Sequence, residues 1–276
     1  MGTFYHEDFP MKQAEFNNSR SPIFKPQWFL KARYIGIWYK QILPVQTVVW
    51  VANREKPLTI TSSVILKVAK LGILALLNDK NEIIWSTNTS RSVQNSVAQL
   101  LSSGNLVVKD ANDENPENFL WQSFHYPSDT KLPDMKLGKN FQTGREAYLS
   151  TWKNDNDPTP GEFTLHIDLT GYPQCLVKRS TRLSARAGPW NGLGWSGSPT
   201  PLLLQSSIYT FQFVFNKEEV SYSFSLTNSS VLSRLVLTSN GYIQRFMWVD
   251  RTKSWHLYLN ILLNNFDTLM WCLWEL

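Results

Sequence analysis

Apolar and polar positions alternate with a period of two along much of this 276-residue chain. Residues 34–42, 46–53 and 82–88 are rich in β-branched and aromatic side chains, as half-buried strands are. Polar residues, Gly or Pro separate these segments, and no window combines the apolar period of an amphipathic helix with its caps. The pattern therefore predicts an all-β fold of the sandwich, barrel or prism type.

An internal repeat strengthens this prediction. When Gly72 is aligned with Gly104, residues 63–79 lie over residues 95–110, and both segments have the order strand, Gly, strand. Gly adopts positive φ without steric cost, so each copy predicts a tight hairpin. Weaker copies surround Gly171 and Gly241, where the ordinary Gly hairpins of any all-β protein would look the same.

A change in composition divides the chain. Residues 111–118 are polar and acidic and contain Pro116, which is typical of a linker. Because the segments before and after them each contain aromatic residues and hairpin patterns, we expect two packed units. The predicted division is an atypical leader at 1–23, a first unit at 24–112, a second unit at 113–258 and a divergent apolar tail at 259–276.

The aromatic content indicates where the core lies. The chain has 12 Trp, 15 Phe and 10 Tyr, residue types that pack well on pleated sheets. We interpret Trp38, Trp50 and Trp85 as core residues, the alternative being platforms for sugar stacking. The formal net charge is +5, but Lys and Arg are scattered singly, which favours a solvated surface over a nucleic-acid footprint.

Sequence motifs favour a binding protein over an enzyme. Ser123, His125 and Asp129 are close in sequence, but a triad is defined by folded geometry, and no GxSxG elbow, P-loop or dinucleotide fingerprint accompanies them. No His/Cys spacing fits a zinc site, so neither a metal nor a cofactor is expected. Whether Cys175 pairs with Cys272 is left open by the sequence.

Export signals are ambiguous. Residues 1–20 contain no apolar stretch long enough for a signal-peptide core, and no window of the chain reaches the length of a membrane span. Asn-x-Ser/Thr sequons nevertheless begin at Asn17, Asn88 and Asn228. They would carry glycans if the chain entered the secretory pathway, and they also arise by chance, so both interpretations stay open.

Several long Trp-containing motifs resemble a known family. YIGIWYKQI at 34–42 and VVWVANREKPL at 48–58 resemble the bulb-type lectin domain of plant S-locus glycoproteins and G-type lectin S-receptor-like serine/threonine kinases. Three later motifs resemble the S-locus glycoprotein domain that follows it: LWQSFHYPSDTKLPDMKLG at 120–138, STWKNDNDPTPGEFTLHID at 150–168 and GPWNGLGWSG at 188–197.

The resemblance implies a β-prism lectin domain followed by a second lectin-like β domain, in a secreted or extracellular protein that takes part in recognition, including recognition of pollen. It implies a protein or receptor-ectodomain partner, or alternatively a glycan, and it includes no kinase domain. Residues 1–23 match neither domain, and Phe266 stands where the resemblance expects a Cys. An inactive, truncated remnant of a receptor-like kinase ectodomain is therefore the alternative interpretation.

Bulb-type lectins bind mannose through the pattern Gln-x-Asp-x-Asn-x-Val-x-Tyr, whose amide and carboxylate groups hydrogen-bond sugar hydroxyls. Here Asn105 and Val107 match, whereas Leu101, Ser103 and Lys109 replace the Gln, Asp and Tyr. In the other repeat the five positions hold Ala69, Leu71, Ile73, Ala75 and Leu77. The resemblance thus predicts a largely degenerate sugar pocket at Ser103, Asn105 and Val107, with weak mannose binding as the alternative.

Overall fold

A computed structural model describes residues 12–13, 23–29, 34–40, 42, 46–58, 64–68, 72–78, 80–89, 91–197 and 207–261. In these residues, 22 strands form six antiparallel sheets, which confirms the all-β prediction. Helical structure in this part of the chain is confined to two short 3-10 turns, Pro116–Asn118 and Ser123–His125, neither of which could cross a membrane. Asn17, Phe266 and Cys272 lie outside the described residues.

Three small sheets contain the first ten strands, in the orders β2-β3-β4, β1-β5-β6-β7 and β10-β9-β8. The bounds are β1 Lys12–Gln13, β2 Phe24–Phe29, β3 Tyr34–Tyr39, β4 Val48–Val51, β5 Val64–Val68, β6 Leu74–Asn78, β7 Ile83–Ser86, β8 Ser96–Leu100, β9 Leu106–Asp110 and β10 Trp121–Gln122.

Three four-stranded sheets contain the remaining strands, in the orders β11-β20-β21-β22, β13-β12-β19-β18 and β14-β15-β16-β17. The bounds are β11 Thr130–Lys131, β12 Leu137–Asn140, β13 Glu146–Ala147, β14 Leu149–Asn154, β15 Asp157–Asp168, β16 Gln174–Arg179, β17 Arg182–Pro189, β18 Tyr209–Phe215, β19 Glu219–Leu226, β20 Ser233–Leu237, β21 Ile243–Val249 and β22 Ser254–Ile261.

The repeated glycines form the hairpin turns that the sequence predicts. Gly72 lies between the paired strands β5 and β6, and Gly104 lies between β8 and β9, with φ of +81° and +87°. A Cβ on Gly104 would also stand 2.7 Å from Leu132 Cδ1, so any other residue at this turn would have to displace the Leu132 side chain as well as adopt positive φ. The weaker copies at Gly171 and Gly241 also lie in hairpins, β15–β16 and β20–β21.

One hydrophobic core underlies the amino-terminal sheets. Trp50 is buried in this cluster and Trp85 packs against it half-buried, while Trp38 is buried in the adjoining strand β3. Trp121 and Met135 belong to the same cluster although they follow the predicted boundary, and β10 pairs with β9 across it. The predicted domain division at residue 112 thus remains a prediction, since packing alone does not mark an edge there.

A second core fills the space between the remaining sheets, with Leu137, Leu149, Val177 and Leu237 among its buried members. Cys175 belongs to this cluster as a free, buried thiol. Burial raises the pKa of the Cys175 thiol to about 12, which keeps it protonated and unreactive.

A buried guanidinium joins the two groups of sheets, the amino-terminal sheets that contain β1–β10 and the later sheets that contain β11–β22. Arg54 follows β4, and its side chain donates from Nε to the carbonyl oxygen of Pro158 at 2.7 Å, from Nη1 to that of Ser150 at 3.1 Å and from Nη2 to that of Thr151 at 2.5 Å. Ser150 and Thr151 lie on the edge strand β14, whose pairing with β15 has register shifts on both sides of Trp152, and Pro158 comes before Phe163, where the pairing of β15 with β16 begins. Arg54 therefore fastens the loop after β4 to an irregular stretch of a different sheet.

Replacing Arg54 by Met should lower the free energy of unfolding by about 2–5 kcal/mol, because three buried carbonyl groups lose their charged donor. Urea unfolding monitored by tryptophan fluorescence measures the change. Arg251→Met is the matched control, since Arg251 is exposed, and should stay within about 0.5 kcal/mol of the wild type. An Arg54→Met chain as stable as that control would contradict the assigned role.

Two cations are buried around Phe224 in the second part of the molecule. Lys131 Nζ lies 4.2 Å from the ring centroid of Tyr222 and 5.1 Å from that of Phe224. The guanidinium carbon of Arg245 lies 4.2 Å from the ring centroid of Phe224. Within the described residues, no carboxylate forms an ion pair with either cation. Burial, and secondly the charge of Arg245, hold the pKa of Lys131 well below its ordinary value.

Lys131→Met should therefore stabilise the protein by about 1–3 kcal/mol near neutral pH, because the wild type buries an amine that has no ion-pair partner among the described residues. The lowered pKa means that the folded chain binds the Lys131 proton more weakly than the unfolded chain, so the stability of the wild type rises with pH between the two pKa values. The difference in unfolding free energy between Lys131→Met and the wild type should thus narrow from about pH 6 to about pH 9 in urea unfolding. Lys217→Met changes an exposed residue and is the control. Its free energy of unfolding should equal that of the wild type at both pH values.

Candidate functional site

The residue that best matches the sugar-binding pattern is engaged inside the protein. Asn105 is only 6% exposed, and its Nδ2 donates to Gln122 Oε1 at 2.9 Å. Its Oδ1 accepts from Ser123 Oγ at 3.2 Å and from the Phe124 backbone N at 3.1 Å. The amide thus holds the chain at β10 and the following turn against the start of β9.

The other predicted positions differ in accessibility. Ser103 is half-buried and its Oγ lies beside the Asn105 backbone N, whereas Val107 is fully buried in β9. Lys109 is also buried and its Nζ contacts Glu114 Oε2 at 2.6 Å. In the second copy Ala75 and Leu77 are buried, while Ala69 and Leu71 lie outside the described residues. The degenerate pocket itself stays a prediction.

Asn105→Ala should lower the free energy of unfolding by about 1–3 kcal/mol, because the Phe124 N–H and the Ser123 hydroxyl lose their acceptor. Neither the wild type nor the variant should give a mannose signal on a glycan array. Asn112→Ala, in an exposed turn, serves as the control and should be neutral to within about 0.5 kcal/mol. A reproducible mannose signal that Asn105→Ala abolishes would contradict the expectation of no mannose binding, and an Asn105→Ala chain as stable as the Asn112→Ala control would contradict the structural role.

A cleft of about 630 Å³ opens where the two parts of the chain meet. Its walls come from the loop after β4, the end of β7, the segment after β10 and the residues around β13 and β14. Three of its lining residues, Trp50, Trp85 and Trp121, form a mutual edge-to-face cluster with centroids 5.8–6.0 Å apart. Sequence reasoning did not identify this cleft, because its walls are far apart in the chain.

Two tyrosines in the cleft present ring surface to solvent. Tyr126 is 45% exposed and stacks on Trp121, with the centroids 5.7 Å apart and the rings 10° from parallel. Tyr148 is 39% exposed and stacks on His166 at 4.4 Å, and His166 Nδ1 in turn lies 2.6 Å from Glu146 Oε1. Both rings are thus held in place by their neighbours while both residues stay partly exposed in the cleft, as in many ligand sites.

The charges of the cleft balance. Arg54 and Lys56 are matched by Glu55 and Glu146 among the lining residues. Burial, and secondly the nearby charge of Arg145, lower the pKa of His125 to about 4, so its ring is neutral above about pH 5. An aromatic site without net charge is suited to a neutral ligand with both apolar and hydroxyl-bearing faces.

The local Ser, His and Asp set does not assemble into a triad. Ser123 Oγ donates to Asn105, His125 faces the cleft, and Asp129 Oδ1 accepts from Ser128 Oγ and Thr130 Oγ1. In the part of the chain that the structure describes, no cluster of three or more His, Cys, Asp or Glu could hold a metal ion.

The two sequons in the described residues have different surroundings. Asn88 is exposed and lines the cleft, two residues after β7. Asn228 is exposed in the turn between β19 and β20, where its Oδ1 accepts from the backbone N of Ser230 at 3.0 Å and from its Oγ at 2.7 Å. Their glycosylation stays a prediction.

Comparison with known proteins identifies two domains. The family of D-mannose binding lectins matches residues 47–153, and the S-locus glycoprotein domain matches residues 185–272.

Relatives that align with 82% of this chain agree with these matches. The S-locus-specific glycoprotein BS29-2 of Brassica oleracea var. alboglabra is 41% identical over 82% of this chain and 51% of its own length. The S-locus-specific glycoprotein S6 of Brassica oleracea is 40% identical with the same coverage. The receptor-like serine/threonine-protein kinase SD1-8 of Arabidopsis thaliana is 40% identical over 82% of this chain and 26% of its own length. The chain thus spans about half the length of these glycoproteins and about a quarter of the kinase.

Proposed function

This chain belongs to the plant family of S-locus glycoproteins and G-type lectin S-receptor-like kinases, and on that premise we propose that it is a non-enzymatic recognition protein. Its relatives support a lectin-like recognition role. We infer that recognition uses the aromatic cleft rather than the strand on which bulb-type lectins bind mannose, and that the ligand is a neutral oligosaccharide.

The observation that carries this proposal is the pair of exposed, stacked tyrosines, Tyr126 and Tyr148, in a charge-balanced cleft. The volume of about 630 Å³ falls in the range of about 300–1,000 Å³ typical of small-ligand sites. Flat rings bury the apolar face of a sugar, while rim groups such as Glu55 and Lys56 are available to its hydroxyls.

Mannose recognition by β9 is the weaker candidate. The Asn105 carboxamide already forms hydrogen bonds with Gln122, Ser123 and Phe124. Val107 has no exposed surface that a sugar could contact. The degenerate pocket predicted at Ser103, Asn105 and Val107 is part of this proposal.

The wider biological role follows the family. We propose an extracellular location and a part in recognition of pollen. We further propose that the partner of the chain is a protein or a receptor ectodomain. An enzymatic role has no support at Ser123, whose hydroxyl donates to Asn105 rather than to His125. An inactive remnant of a receptor ectodomain is the competing proposal, and it predicts that the cleft binds nothing.

The test is a neutral and acidic oligosaccharide array probed with the chain produced in bacteria, and hence without glycans, followed by titration of tryptophan fluorescence. The wild type should bind at least one neutral oligosaccharide, and Tyr126→Ala with Tyr148→Ala should weaken it about tenfold or more, which corresponds to about 1.4 kcal/mol. Tyr172→Ala is the control because Tyr172 is 78% exposed outside the cleft.

Binding should be independent of pH between about pH 5.5 and about pH 8 as far as His125 is concerned, since its ring stays neutral there. An array without any neutral ligand, or a ligand that the double tyrosine variant still binds with full affinity, would contradict the assignment of the cleft.

A further inference from the structure

We propose that Asn88 is an N-glycosylation site whose own glycan occupies the aromatic cleft, so that this glycan is a resident ligand that an external oligosaccharide must displace. This inference rests on the extracellular location in the proposed function. It assigns both a modification and a regulatory role to a residue that the sequence marks only as one of three sequons.

The first support is position. Asn88 is exposed, so its Nδ2 is accessible to the modifying enzyme, and it lines the same cleft as Trp85, Tyr126 and Tyr148. A glycan attached there begins inside the cleft wall rather than at a distance from it.

The second support is chemical fit. The sugars nearest to an N-linked Asn are N-acetylglucosamines, which are neutral and carry an apolar ring face and an acetamido methyl group. The exposed faces of Tyr126 and Tyr148 suit those apolar parts, and the charge-balanced rim contains no excess of acid or base that would favour an ionic ligand. The cleft volume of about 630 Å³ accommodates the first sugars of such a chain.

The third support is the covalent link. Attachment at Asn88 makes the contact intramolecular, so weak stacking on two tyrosines suffices to keep the cleft occupied. Because Asn88 follows β7 of the amino-terminal sheets while Tyr148 immediately precedes β14, the glycan bridges the two groups of sheets that Arg54 also joins.

Asn228 provides an internal comparison. It lies in an exposed turn, lines no part of the cleft, and its carboxamide contacts only Ser230 of its own sequon in the described residues. A glycan on Asn228 would extend into solvent and leave the cleft unchanged.

The experiment uses the full chain secreted from a eukaryotic host, with intact mass measured before and after treatment with peptide N-glycosidase. Asn88→Gln and Ser90→Ala each remove the sequon at Asn88, and Asn228→Gln removes the sequon at Asn228. Because Ser90→Ala keeps the asparagine, it separates loss of the glycan from loss of the side chain.

We expect the wild type to carry a glycan at Asn88. Both Asn88→Gln and Ser90→Ala should lower Tm by about 2–4 °C and should increase quenching of tryptophan fluorescence by acrylamide. Asn228→Gln should change neither quantity. In a background of Tyr126→Ala with Tyr148→Ala, removal of the Asn88 glycan should have no further effect, because the surface it packs on is gone.

Absence of a glycan at Asn88 in secreted chain would overturn the inference, and so would equal behaviour of Ser90→Ala and Asn228→Gln. These outcomes are separable from the array experiment, which uses the chain without glycans. Oligosaccharide binding there, together with an Asn88 glycan that leaves Tm and quenching unchanged, would overturn the resident-ligand proposal and leave the recognition proposal intact.

Discussion

The shape of the cleft depends on one buried guanidinium. Arg54 donates to three carbonyl groups of β14 and β15, and Asn53 beside it accepts from the Ile35 backbone N and donates to the Lys56 carbonyl. The loop from Asn53 to Lys56 is therefore fixed at both ends while forming one wall of the cleft. Since Ser150 belongs to the opposite wall, a shift at Arg54 would move both walls relative to each other.

The chemistry of this joint explains why it is an arginine. A planar guanidinium reaches three acceptors at fixed angles, which an ammonium group on a flexible stem does not reproduce. Burial lowers the pKa of Arg54, and the nearby carboxylate of Asp129 works in the opposite direction. Burial raises the pKa of Asp129, while its hydrogen bond from Thr130 and the charges of Arg234 and Arg54 lower it. Arg54 and Asp129, which carry opposite charges, are thus both buried away from solvent at this contact.

Further contacts act in parallel with Arg54. The Trp50 indole N donates to the Tyr126 carbonyl at 2.8 Å, and the Trp255 indole N donates to Thr47 Oγ1 at 2.8 Å. The first of these fixes the segment that carries Tyr126, so the stacked ring at the mouth of the cleft is positioned by a buried tryptophan. Trp50 and Arg54 therefore both form contacts between distant segments of the chain and line the candidate site, whereas Thr47 and Trp255 lie outside it.

Sequence patterns predicted the strands and the Gly hairpins well, because alternation and positive φ are local properties that Gly72 and Gly104 report directly. They did not predict the cleft, since Trp85, Tyr126 and Tyr148 meet only through tertiary packing. Nor does polarity predict that Lys131 is buried against Tyr222 and Phe224. Alternation identifies two faces of a strand but not which neighbour covers each face, and Asn105, engaged inside the protein, shows the same limit.

The register shifts around Trp152 determine which deletions β14 can tolerate. Ser150 and Thr151 lie on the edge strand β14, and Pro158 comes before Phe163, where the pairing of β15 with β16 begins, so Arg54 finds its set of carbonyl partners on this side of the sheet. Gly161 permits this geometry, because a Cβ there would stand 2.3 Å from the Trp152 carbonyl oxygen. Deleting one residue beside Trp152 would change the register of β14 against β15 and would move the Ser150 and Thr151 carbonyl groups away from the Arg54 guanidinium. A change within a single strand would thus loosen a contact between two sheets that are far apart in the sequence.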